Sequence, residues 1–157
     1  HPEVLHVHAS GAIEKDAALK KFNDYGLSEC ENLELLEYIY DMPLRMAAAD
    51  IVISRAGAMT VSELAMMKKP SIMIPSPNVA ENHQYKNAKV IEDAGGCVLI
   101  EEKNLAGGAL EKAVSELLSD DKKRADMGEA VSQFVKSDAN KLIYEEIKRL
   151  VKEKKQK

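Results

Sequence analysis

The sequence predicts a doubly wound α/β domain built on a parallel sheet. Three observations carry that reading. Short β-rich apolar runs alternate with longer helical patterns; every apolar run is brief and bounded by turn residues; and the intervening helices are about 10 to 15 residues long. Strands separated by such helices are joined by right-handed crossovers, which leaves a parallel sheet covered on both faces. In sheets of this kind ligands bind at the carboxyl ends of the strands.

The elements follow in order. Val4 to His8 reads as a strand and Ala12 to Tyr25 as a helix stopped by Gly26. A second strand covers Leu33 to Ile39, followed by a short helix from Pro43 to Ala48, with proline at its start. Ile51 to Ser54 is an apolar strand, Met59 to Met67 a helix, and Ser71 to Pro75 the next strand. A helix from Asn82 to Ala94 ends at Gly95-Gly96, and Cys97 to Ile100 forms another strand. Leu105, Ala109, Leu110, Ala113, Val114 and Leu117 make a helical stripe, and two more helices run from Lys122 to Phe134 and from Ala139 to Glu153. The loops facing the carboxyl ends of the strands are therefore 40–43, 54–60 and 76–82.

Size and charge narrow the field. With 157 residues, 45% of them hydrophobic, the chain suits one domain over residues 1–157 with one sizeable core. A formal charge of -4 supplies no global field for nucleic acid or an anionic membrane. The basic stretch Lys148 to Lys157 reads as the solvated end of a terminal helix. Cys30 and Cys97 stand far apart, with no Cys/His cluster, so neither a metal site nor a disulfide framework is expected, and a reducing, cytoplasmic setting fits. No run of 18 apolar residues is present, so any membrane association is expected to be peripheral or to lie elsewhere.

The segment Ser54-Arg55-Ala56-Gly57-Ala58-Met59-Thr60-Val61-Ser62-Glu63 leaves a strand, turns at a glycine and opens a helix. Free N–H groups of a first helical turn suit an anion, and Gly57 admits a close approach. It is neither a dinucleotide fingerprint nor a P-loop, because the second glycine and the Gly-Lys-Ser/Thr ending are missing. The same residues also read as a capping box, with Thr60 at the N-cap and Glu63 three positions on. Glu63 would repel a phosphate, yet it could accept from both hydroxyls of a ribose at about 1.5 to 3 kcal/mol each. A second cluster, Pro75 to Asn87, is crowded with amides: Asn82, Gln84 and Asn87, with His83 among them, could present donors and acceptors to sugar hydroxyls. A capping or surface role for His83 stands beside that reading.

Taken together, Asp41-Met42-Pro43 with Met46-Ala47-Ala48-Ala49-Asp50, then Ser54 through Leu64, then Pro75-Ser76-Pro77-Asn78 with Asn82-His83-Gln84, closely resemble the MurG family of UDP-N-acetylglucosamine transferases. The resemblance covers the middle of the chain in the right order. It implies the C-terminal, Rossmann-like half of a two-domain GT-B enzyme that binds UDP-GlcNAc, with no cofactor and no metal. The N-terminal half, which takes the undecaprenyl-linked lipid I acceptor, contacts the inner face of the cell membrane and is expected to carry the general base, would lie outside this chain. So would a Gly-rich loop preceding residue 1.

Carried over by motif, Glu63 would bind the ribose hydroxyls. The stretch Gly57, Ala58, Met59, Thr60, Val61 and Ser62 would line the ribose and diphosphate, with the backbone of Ala58 to Thr60 in contact. Ile39 would meet uracil through its main chain, and Gln84 and His83, with Asn87 nearby, would meet the GlcNAc hydroxyls. Where the family carries an amide pair this chain has His83-Gln84, which leaves the role of His83 open, as is that of His8-Ala9-Ser10-Gly11. The reaction implied is an inverting transfer of GlcNAc to lipid I, giving lipid II, and the isolated chain is expected to bind UDP-GlcNAc weakly and transfer nothing. Competing readings are a UDP-sugar transferase acting on another lipid such as diacylglycerol, a UDP-GlcNAc 2-epimerase, and a non-catalytic interaction module in which Glu63 is only a cap.

Overall fold

A computed structural model describes residues 1–135 and 138–155; Gln156 and Lys157, the end of the basic stretch, lie outside the described residues. The chain divides into two compact units, residues 1–45 and residues 46–157.

In the first unit, β1 (His6–Ala9) and β2 (Leu33–Leu36) pair in parallel, with His6 opposite Leu33 and Ala9 opposite Leu36. The crossover is α1 (Gly11–Asp24), and Gly26 at φ 68° supplies the left-handed residue that ends it, as the sequence predicts. Both strands are shorter or shifted relative to expectation. β2 stops at Leu36 because β1 ends opposite it, and the last ladder bonds run from Ser10 N to Leu36 O (2.9 Å) and from Gly11 N to Glu37 O (3.0 Å). Ile39 therefore lies beyond the strand, half-buried, just before α2 (Met42–Ala48).

The second unit holds β3 (Val52–Ser54), β4 (Ser71–Met73) and β5 (Val98–Leu99) in that order, all parallel. α3 (Ala58–Met66) and α4 (His83–Asp93) are the crossovers; α5 (Ala109–Ser119) and α6 (Asp121–Ser132) follow. Alternation along β4 explains the layering, since successive side chains point to opposite faces. Met73 is fully buried in a cluster with Leu64, Ala65, Ala88 and Ile91, so α3 and α4 cover one face. Its neighbour Ile72, equally buried, packs with Ile100, Ala113 and Leu117, so α5 covers the other. α6 serves both layers, giving Val131 to the first and Met127 to the second. This is the doubly wound arrangement that the alternating pattern predicts.

One close approach fixes α6 against α3. The end of α3 makes paired bonds from Lys68 N to Ala65 O (3.2 Å) and Lys69 N to Leu64 O (3.0 Å), with Lys68 at φ 52° where glycine is usual. A Cβ on Gly128 of α6 would stand 2.4 Å from the Lys68 carbonyl oxygen, so only glycine fits there. Cys97, just before β5, is buried and its Sγ donates to Ala88 O at 3.5 Å. α7 (Ala139–Lys155) closes the described chain, and its residues 140–154 are all exposed.

Candidate functional site: the carboxyl ends of β3 and β4

β3 delivers the chain to Gly57, whose φ of −66° and ψ of 150° are extended and make it the residue flanking α3. Its carbonyl accepts the first helical bond, from Val61 N at 3.0 Å. The helix thus begins at Ala58, and Thr60 is its third residue rather than its cap. No side chain caps this end, so the capping-box reading of Thr60 and Glu63 is overturned. The physical reason is the order of the turn: the extended Gly57 starts the helix three residues before Thr60, and a glycine cap brings no oxygen of its own. The N–H groups of Ala58, Met59 and Thr60 have no acceptor among the described residues, which makes this end of α3 an anion-seeking surface.

The remaining side chains of the segment divide by the helical turn. Leu64 and Ala65 are fully buried and Val61 packs against the same cluster, anchoring α3 to the sheet. Ser62 Oγ donates to Ala58 O at 3.0 Å, so its proton is engaged within the helix. Met59 is 78% exposed. Glu63 is exposed, and its carboxylate makes no hydrogen bond or ion pair among the described residues, leaving it open to accept.

The second wall begins after β4 and enters α4 through a short 3-10 turn, Ala80–Asn82, in which Glu81 and Asn82 both take φ 52°. The amides singled out from the sequence prove to be partly engaged inside the protein. Gln84 Oε1 accepts from Ser76 N at 2.9 Å, which fixes the loop and leaves the Gln84 NH2 group for a ligand. Asn87 Nδ2 donates to Ala56 O at 3.1 Å and so ties α4 to the turn that opens α3. His83 Nδ1 lies 2.9 Å from Ala80 O. One of the two N–H donors of Asn87 is thus in use on the buried Ala56 segment, and the other is left over.

A further latch is not legible in the sequence. Arg55 Nη1 donates to Ile74 O (3.1 Å) and to Glu102 Oε2 (2.6 Å), so one side chain joins the ends of β3 and β4 to the turn after β5. Its partner is 47 residues away, and the only signal was a cation at a strand end. Beside this latch lies an open cleft of about 310 Å³ lined by Pro75, Pro77, Asn82, Tyr85, Glu101, Glu102 and Lys103. In the first unit, Ser10 Oγ donates to Leu36 O (3.3 Å), so the His8 to Gly11 turn is occupied locally with β2. Among the described residues no group of three or more His, Cys, Asp or Glu is placed to hold a metal ion.

Residues 2–143 match the glycosyltransferase family 28 C-terminal domain. The chain belongs to that family. This family 28 domain is 41% identical over 148 residues to the UDP-N-acetylglucosamine--N-acetylmuramyl-(pentapeptide) pyrophosphoryl-undecaprenol N-acetylglucosamine transferase of Acetivibrio thermocellus, a span covering 94% of this chain and 39% of that protein. It is 45% identical over 135 residues to the transferase of the same name from Flavobacterium psychrophilum, covering 85% of this chain and 36% of that one. A crystal structure of Acinetobacter baumannii MurG superposes on 93% of the family 28 domain and 42% of its own chain, with a TM-score of 0.77 and 25% identity. The domain therefore spans well under half the length of these relatives, and its fold is that of the corresponding part of a GT-B transferase.

Proposed function

We propose that this domain holds the UDP-GlcNAc donor for a transferase that moves GlcNAc onto the 4-hydroxyl of the muramic sugar of undecaprenyl-linked lipid I. The observation that carries the reading is the start of α3. Among the described residues, the N–H groups of Ala58, Met59 and Thr60 have no acceptor and, one turn on, the Glu63 carboxylate has no donor. An anion and a neutral diol on one ligand answer that pair, and a nucleoside diphosphate presents both.

In this reading the diphosphate sits on the helix N-terminus, whose dipole and N–H groups stabilise the charge that develops on departing UDP, without a metal ion or cofactor. Glu63 accepts from the ribose hydroxyls, and the Gln84 amide donates to the GlcNAc. Inversion in a single displacement also requires a base on the acceptor side. That group, the acceptor site and the peripheral contact with the cytoplasmic face of the membrane belong to the part of the relatives' length that this domain does not span. The relatives' names, N-acetylglucosamine transferases acting on an N-acetylmuramyl-(pentapeptide) pyrophosphoryl-undecaprenol, supply the acceptor chemistry.

The test is a titration of the 15N-labelled chain with UDP-GlcNAc, UDP and ADP, followed by amide shifts. The expected result is uridine-selective saturation with the largest shifts at Ala58, Met59 and Thr60, unchanged by EDTA. Equal responses to ADP and UDP, or shifts that avoid the start of α3, would overturn the assignment.

A further inference from the structure

The entry into α4 is an unusual piece of backbone. Val79 is extended, and then two consecutive residues that are not glycine, Glu81 and Asn82, adopt φ 52° before His83 opens the helix. Asparagine tolerates this region because its short polar side chain can bond locally; glutamate has no such advantage. A turn of this kind persists only where its surroundings hold it. Two backbone bonds cross it, Asn82 N to Val79 O, long at 3.4 Å, and His83 N to Ala80 O. The His83 ring adds a side-chain bond to the same carbonyl, 2.9 Å from Nδ1 to Ala80 O.

The chemistry of that bond fixes the ring. A carbonyl oxygen only accepts, so Nδ1 carries the proton, and in the neutral imidazole Nε2 is then bare. His83 therefore closes a loop from the first residue of α4 back to the start of the left-handed turn. One residue on, Gln84 Oε1 is bonded to Ser76 N, which orients its NH2 group. The two bonds fasten the same short segment from both sides, and the Gln84 amide, held by its oxygen, keeps its NH2 donors free among the described residues.

We propose that His83 is a positioning residue of the donor site: its Nδ1–H clamps the Glu81–Asn82 turn and so aims the Gln84 amide, which makes the sugar contact. The proposal rests on the donor-site reading above and departs from the expectation that His83 itself touches GlcNAc.

Substitutions distinguish the two ring nitrogens. His83→Asn places an amide N–H near the position of Nδ1, whereas His83→Gln reaches toward the position of Nε2. His83→Ala is expected to weaken UDP-GlcNAc binding by about fivefold while leaving UDP nearly unaffected, His83→Asn to restore it to within about twofold, and His83→Gln to fail. Glu81→Gly, which removes the penalty of the left-handed turn, is expected to recover most of the loss in a His83→Ala background. Retention of binding by His83→Gln together with failure of His83→Asn would overturn the proposal, because a ring touching the sugar through Nε2 behaves in that way. The ring tautomer, read from 15N shifts of the free chain, gives a second decision without any ligand. A protonated Nδ1, with faster exchange in His83→Ala of the Asn82 and His83 amides, whose bonds cross the turn, supports the clamp; a neutral ring protonated at Nε2 refutes it. If no uridine nucleotide binds, the donor-site reading fails and the tautomer still decides the clamp.

Discussion

Replacing Glu63 with alanine separates a ligand-binding carboxylate from a structural one. The side chain stands exposed on α3 and touches no donor among the described residues, so its removal breaks no bond that the folded chain makes. A helix cap lost to alanine would cost about 1 kcal/mol of stability; here the change in unfolding free energy is expected to stay within about 0.5 kcal/mol. Binding is another matter. Two hydrogen bonds from a ribose diol to one carboxylate are each worth about 1.5 to 3 kcal/mol, and an exposed site lies at the low end. A combined loss of about 3 kcal/mol follows, or a ~150-fold rise in the UDP dissociation constant. Calorimetric titration with UDP and with 2′-deoxy-UDP, beside urea denaturation of both proteins, measures each quantity. The deoxy ligand, lacking one hydroxyl, is expected to feel the substitution less. Equal losses for the two ligands, or unaltered affinity for UDP, would refute the assignment of Glu63 to the ribose.

Gly57→Ala is expected to leave stability within about 0.5 kcal/mol, because its backbone angles suit any residue and the nearest atom to a new Cβ is Thr60 Oγ1 at 3.8 Å. The methyl group would crowd the open N–H groups, and UDP affinity measured by the same titration should fall by about tenfold. Gly128→Ala should do the reverse: its Cβ meets the Lys68 carbonyl at 2.4 Å, and urea denaturation should show a loss of about 2 to 3 kcal/mol. Burial, with a smaller contribution from Glu92, pushes the Cys97 thiol up from 9.0 to about 12. A thiol whose folded value is raised stabilises the fold below the unfolded value and loses that contribution as pH climbs from about 9 toward 12. Stability measured across that window should therefore decline, and more gently in Cys97→Ala. At pH 8 only the exposed Cys30 should react with a thiol reagent in the native chain.

Much of the local structure of the candidate site was legible in the sequence, because the strand, glycine and helix opening at Ser54 to Glu63 are local signals. The exact start of α3 was not. A Thr and a Glu three apart imitate a capping box, and only the extended backbone at Gly57 decides that the helix has already begun. The division of labour among the amides was equally hidden. Asn87 and Gln84 carry both donors and acceptors, and whether these meet a ligand, Ala56 O or Ser76 N depends on loops brought together by the sheet. The extent of β2 was overestimated because apolar residues continue past Leu36, while strand length is set by the partner β1. Arg55 and Glu102 met through three separate strand ends, a distance that no periodicity encodes.

α7 carries Leu142, Ile143, Tyr144, Ile147, Leu150 and Val151, each at least half exposed, on seventeen residues of helix. What holds it helical is then its own backbone ladder and side-chain pairs such as Arg149 with Glu153, at 2.6 Å. β4, by contrast, is sealed between two layers at Ile72 and Met73. The two elements mark opposite ends of a scale of local opening: amides of α7 should exchange with solvent by fraying alone, while those of β4 should wait for the whole second unit to unfold.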